Sequence, residues 1–139
     1  MSLHHQLQQR AAEGRPIRVG LIGAGKFGSM YLSQVPRTPG VHLVAIADLN
    51  PAAAKRNLAR VGWTPAQCAA PSAQAALRDG NTWITDDWQA LVALPEIDVV
   101  VECTGAPVHA VDHILAAIGQ RKHVVNVTVE ADAFCGPLL

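Results

Sequence analysis

Short apolar runs alternate along the chain with stretches in which apolar residues recur every three or four positions, and proline or glycine separates most of them. Residues 3–13 predict a short polar helix that Gly14 ends and Pro16 closes off. Residues 17–23 (IRVGLIG) are apolar and rich in β-branched side chains, the composition of a strand buried on both faces. A glycine turn follows, then a helix with Phe27, Met30, Tyr31 and Val35 on one stripe, broken by Pro36, Pro39 and Gly40. Residues 41–48 form the second predicted strand. Asn50 and Pro51 then cap and open a helix that buries Ala54, Leu58 and Val61 and ends at Gly62.

Residues 63–81 are less regular, with Ser72 capping a short helix that closes at Gly80. Residues 82–85 read as a short strand, and residues 86–94 as a helix with acidic residues at its positive end. Residues 97–103 (IDVVVEC) are another buried strand. Pro107 opens a helix whose Val108, Val111, Leu115 and Ile118 share one face, and Gly119 closes it. Residues 123–129 are the last predicted strand. Residues 136–139 resemble a cap and first turn of a new helix, so a domain cut short at its C-terminus is expected. Strands alternating with helices imply right-handed crossovers between parallel strands. The expected fold is α/β, a Rossmann-type doubly wound parallel sheet over residues 17–139, preceded by a helical extension at 1–16.

Composition narrows the function classes. Aromatics make up only 4% of a chain that is 50% apolar, so Ala, Val, Leu and Ile must supply most of the core. Eleven basic and eleven acidic residues cancel without any block of like charge. That argues against a nucleic-acid or membrane partner held by bulk electrostatics. No apolar run approaches the roughly 20 residues that cross a bilayer, and the polar N-terminus lacks a secretory signal. Cys68, Cys103 and Cys135 are odd in number and show no CxxC spacing. Neither a disulfide framework nor a structural zinc site fits, and a cytoplasmic location is expected.

The chemistry begins at Gly23-Ala24-Gly25-Lys26-Phe27-Gly28, a G-x-G-x-x-G turn directly after a strand and opening a helix. Gly23 allows the tight turn, Gly25 lets a pyrophosphate approach the backbone, and Gly28 lets the helix pack on the sheet. Free N–H groups at the helix start, with the helix dipole, favour phosphates. Asp48 ends the second strand twenty residues after Gly28, where a carboxylate grips the adenine ribose hydroxyls. Together these predict a dinucleotide ligand, NAD or NADP. Asp48 repels a 2′-phosphate and tilts the choice toward NAD, while Lys55 and Arg56 just downstream act against that tilt. Thr104 and Gly105, leaving the sheet at its C-terminal edge, are placed to approach the same ligand.

Other constellations are thinner. Glu130 and Asp132 follow the last predicted strand and are candidates for a substrate's polar groups, a divalent cation or a proton relay. His109 and His113 are four apart on a helix, a spacing that suits zinc, but no third ligand is apparent. Cys103 is assigned to the core, since no base is assignable beside it. Trp63, Trp83 and Trp88 are assigned to packing around the irregular region.

The segments IRVGLIGAGKFG, VAIAD, DVVVECTGAP and KHVVNVTVEAD together resemble the cofactor domain of homoserine-dehydrogenase-like oxidoreductases. NVTVEAD is most similar to predicted homoserine dehydrogenases that carry a C-terminal SAF domain, a group that includes deoxyxylulose-phosphate reductoisomerase-like enzymes. The glucose-fructose oxidoreductase type is a more distant match. The resemblance implies Gly23, Gly25 and Gly28 at the pyrophosphate, Asp48 at the ribose, and Thr104 and Gly105 near the nicotinamide half. Two departures stand out. Homoserine dehydrogenases put a lysine where this chain has Val129, and the glucose-fructose type puts one where it has Thr128. The expected activity is hydride transfer between nicotinamide and a small polar carbonyl or alcohol, with the substrate and acid–base groups on sequence after Leu139. A non-catalytic nucleotide sensor would need only the glycine turn and is the alternative. Exposed apolar surface on such a fragment makes homo-oligomerisation an expectation too.

Overall fold

The computed structural model describes residues 1–139, in which helices and strands alternate. α1 (Leu3–Ala12) precedes β1 (Ile17–Ile22), α2 (Lys26–Leu32), β2 (Val41–Ala47) and α3 (Pro51–Arg60). There follow α4 (Ala73–Asp79), β3 (Trp83–Thr85), α5 (Trp88–Ala93) and β4 (Val99–Glu102). The last elements are α6 (Pro107–Gly119), β5 (His123–Asn126) and α7 (Val129–Cys135). The strands form one sheet in the order β3-β2-β1-β4-β5, and every pairing is parallel. This is the predicted Rossmann-type sheet, with its change of direction at β1.

Helices cover both faces. Val19, Leu21, Leu43 and Ile46 pack with Leu32, Ala54, Leu58 and Trp63 on the α2–α3 side. Trp63 is satisfied there, its indole N–H donating to the Leu32 carbonyl at 2.7 Å. On the other face Ile22, Val44 and Val100 pack with Ala76, Leu91 and Ala117 of α4, α5 and α6. The caps form as their sequences dictate. Asn50 accepts from the Ala53 N–H, Ser72 from Ala75 and Asp87 from Ala90. No helix is long and apolar enough to cross a membrane.

Four expectations need correction. First, α2 stops at Leu32, and Phe27 and Met30 are exposed rather than buried. Gly28 presses this helix so close to the sheet that the buried line runs Gly28, Leu32, Val35, spaced i, i+4, i+7. Second, the line of α6 that faces the sheet is Ala110, His113, Ile114 and Ala117. Small alanines let α6 approach closely, and Val108, Leu115 and Ile118 are left exposed on its outer side. Third, β5 ends at Asn126, and the chain turns directly into α7, whose first turn carries Glu130 and Asp132. Acidic residues there favour the helix through its dipole. Fourth, residues Gly136–Leu138 are a single 3-10 turn at the end of α7, not the start of a new helix.

Candidate functional site

The C-terminal ends of β1, β2 and β4 converge on one crevice, at the point where strand order reverses. Gly23 has φ +95°, and a Cβ on it would lie 2.8 Å from the backbone of Cys103, so only glycine lets the turn after β1 lie against the end of β4. A Cβ on Gly28 would lie 2.5 Å from the Gly23 carbonyl oxygen, which is the close helix–turn contact expected of the third glycine. Gly25 differs, because nothing comes within 4 Å of a Cβ there. The space its missing side chain leaves is open crevice. Gly25 is also the N-cap of α2, whose leading N–H groups have no intrahelical partner.

Asp48 ties this turn to β2. Its Oδ2 accepts from the Ala24 N–H at 2.9 Å and its Oδ1 from the Asn50 N–H at 2.8 Å. From the other side the Asn57 amide donates to the Ala24 carbonyl at 2.9 Å. Gly23, Gly25, Asp48 and Thr104 line one cavity of about 410 Å³, together with Asp86, Trp88, His109 and His113. Ala24 is buried beneath it, and Lys26 and Phe27 are exposed at the start of α2 without lining it. Gly105 stands next to Thr104 with φ +68°. A larger cavity of about 520 Å³ lies at the opposite, N-terminal ends of the strands, among Arg10, Asp98, Arg121 and His123, and shares no residue with this one.

Beneath the crevice is a buried polar cluster that motif reading missed. Glu102, the last residue of β4, is fully buried. Its Oε1 accepts from the Thr104 hydroxyl at 2.5 Å and stands 3.2 Å from His113 Nδ1. Its Oε2 accepts from the Thr128 hydroxyl. Burial pushes the Glu102 carboxyl up, but the hydrogen bonds from His113, Thr104 and Thr128 outweigh it and hold the group below the ordinary carboxylate range. An ionised carboxylate only accepts, so the Nδ1 of His113 carries a proton and donates. Trp88 meets the same imidazole edge to face, with ring centroids 4.5 Å apart. The available signal was one acidic residue inside the apolar strand VVVEC; its partners lie 2, 11 and 26 positions away.

Of the remaining candidates, Glu130, Asp132, Thr128 and Val129 fall outside the crevice, while Cys103, His109 and His113 line it. Glu130 and Asp132 are exposed on α7 and do not line it. The hydroxyl of Thr128, where the glucose-fructose type has lysine, is buried and engaged with Glu102 and the Gly105 N–H. Val129, where homoserine dehydrogenases have theirs, is exposed on α7. His113 turns inward while His109 is exposed, and no three His, Cys, Asp or Glu side chains gather to hold a metal ion. Burial and then the Glu102 charge push the Cys103 thiol up to about 11, which keeps it protonated and unreactive near neutral pH.

Comparison with known proteins gives this geometry a family. Inositol 2-dehydrogenase of Acidothermus cellulolyticus is 34% identical over 116 residues, 81% of this chain and 28% of that protein. Homoserine dehydrogenase of Methylobacillus glycogenes is 29% identical over 121 residues, 81% of this chain and 24% of that one. The crystal structure of a homoserine dehydrogenase from Thiobacillus denitrificans matches with a TM-score of 0.64 at 28% identity, covering 87% of this chain and 25% of that one. The chain thus spans about a quarter of the length of these relatives. Its residues 23–133 match the family model described as the homoserine dehydrogenase NAD-binding domain, and the chain belongs to that family.

Proposed function

We propose that this domain holds NAD(P) across the β1–β4 crevice for an oxidoreductase that acts on a small polar carbonyl or alcohol, and that it prefers NAD to NADP. The observation that carries the reading is Asp48, a carboxylate that lines the crevice and is bonded to the glycine turn itself. The donor set fits a dinucleotide. Gly25 opens room for the pyrophosphate beside the N–H groups that start α2. Asp48 accepts two backbone N–H bonds and retains acceptor sites for the adenosine ribose hydroxyls. Thr104 and Gly105, across β1 from Asp48, take the nicotinamide half.

When bound, the cofactor supplies the hydride chemistry, and the protein supplies position and field. The domain's own task is to fix the two ends of the ligand and to put negative charge where a 2′-phosphate would stand. Neither Thr128, which is enclosed, nor Cys103, which stays protonated, is assigned to proton transfer. Substrate contacts and the acid–base group belong to sequence that the full-length relatives have and this chain does not span. A cytoplasmic setting agrees with its three unpaired cysteines.

Calorimetric titration of the chain with NADH and with NADPH tests the reading. NADH is expected to bind more tightly, Gly25→Val to abolish both, and Asp48→Asn to narrow the ratio. A folded parent chain that binds neither cofactor would overturn it.

A further inference from the structure

We infer that Glu102 is a positioning residue of the cofactor crevice: it fixes the loop that receives the nicotinamide half by fixing two hydroxyl protons. The inference rests on the dinucleotide reading given above. Three observations carry it, and each concerns which atom donates.

Glu102 sits at the end of β4, fully buried, and its carboxylate can only accept. The Thr104 and Thr128 hydroxyls both point their protons at it. With those protons committed, the two oxygens face outward as acceptors, and the loop amides use them. The Gly105 N–H donates to the Thr128 hydroxyl oxygen at 3.1 Å, and the Ala106 N–H donates to the Thr104 hydroxyl oxygen at 3.2 Å. Two parallel relays therefore run from backbone N–H through hydroxyl to a single carboxylate. The Thr128 relay joins the loop after β4 to the loop after β5, while the Thr104 relay stays within the loop after β4.

A neutral group at Glu102 would break this logic. An amide or protonated acid has a donor of its own, so one hydroxyl would have to accept from it and turn its own proton elsewhere, which frees the direction of the acceptor it presents to the loop. Gly105, at φ +68° and exposed, has no side chain to hold it otherwise. Sheet order tells which half of the ligand feels the change. Asp48 ends β2 on one side of the glycine turn, and Thr104, Gly105 and Thr128 lie on the β4–β5 side. A dinucleotide whose ribose is on Asp48 places its nicotinamide half toward β4 and β5.

The test compares NADH with ADP-ribose, which keeps the adenosine, pyrophosphate and second ribose but lacks nicotinamide. Both are titrated against the parent chain, Glu102→Gln, Thr128→Ala and Thr128→Ser, with thermal unfolding run on each. Glu102→Gln and Thr128→Ala are expected to weaken NADH by about tenfold, the loss of one hydrogen bond to a charged group. ADP-ribose should change by less than about twofold, and Thr128→Ser, which keeps the hydroxyl, should bind like the parent. If Glu102→Gln does not fold, the Ala and Ser variants at position 128 decide the question alone. Equal weakening of both ligands, or no weakening in folded variants, would show a purely structural role and overturn the inference. A parent that binds neither ligand sinks the dinucleotide reading itself, which is a separate and visible failure.

Discussion

An ionised carboxylate offers about four acceptor sites, and Asp48 uses two of them on the N–H groups of Ala24 and Asn50. The same side chain thus shapes the turn and faces the crevice, so its replacement disturbs both. The three glycines separate those effects more cleanly. Gly23 and Gly28 answer to the protein's own atoms, whereas Gly25 answers only to open space. Gly28→Ala would gain helix propensity but drive a methyl group into the Gly23 carbonyl, whose backbone cannot step aside. The clash outweighs the propensity, and a net loss of about 1–2 kcal/mol is expected. Gly25→Ala, at an N-cap with φ −77° and no neighbour in reach, escapes that clash and should lose only the smaller N-cap preference of Gly over Ala, about 0.5 kcal/mol. Thermal denaturation of the two variants side by side measures this. Equal destabilisation would mean that the turn is not held as described.

At the scale of elements, the strands were legible because a parallel strand covered on both faces must be almost wholly apolar, and IRVGLI, VHLVAIA and VVVE stand out as runs. Caps were legible for the same local reason at Asn50 and Ser72, which each bond an amide three residues on, whereas Asp87, read as part of its helix, proves to be that helix's cap. The faces of α2 and α6 were not. Hydrophobic periodicity marks an apolar stripe but not the sheet, and in both helices small residues take the close contact while larger ones stay outside. The Glu102 cluster was illegible for a further reason: its meaning lies in contacts between β4, α6 and the start of α7, and spacing along the chain encodes none of them. Local elements also make a control. Ser72 caps α4 away from the crevice, so Ser72→Ala should lower stability by about 1 kcal/mol and leave NADH affinity as in the parent. A change in affinity there would mean that cofactor binding reads general stability, and position-specific losses would lose their force.

For the molecule as a whole, pH is the variable that joins site to stability. The chain is formally neutral at pH 7, with eleven residues of each sign and six histidines, so acidification makes it strongly cationic. Repulsion of that kind acts on the parent and on any neutral variant almost alike. Glu102 adds a component that can be isolated. Its native carboxyl lies below the ordinary range, because the hydrogen bonds from His113, Thr104 and Thr128 outweigh its burial. The titratable groups beside it are His113, donated by α6, and Cys103, next along the chain, which stays protonated. A carboxyl whose native value lies below its unfolded value stabilises the fold above the unfolded value. That contribution is lost as pH falls through the native value, because the unfolded chain takes up the proton first. Glu102→Gln removes the titration and keeps the shape. The unfolding temperature of the parent should therefore exceed that of the variant near neutrality, and the gap should close as pH falls below the unfolded glutamate value of about 4.3 and on through the lower native one. Calorimetric unfolding across that range decides it. Curves that stay parallel would mean that Glu102 is not held ionised in the fold, and the fixed direction of the two hydroxyl relays would fall with it.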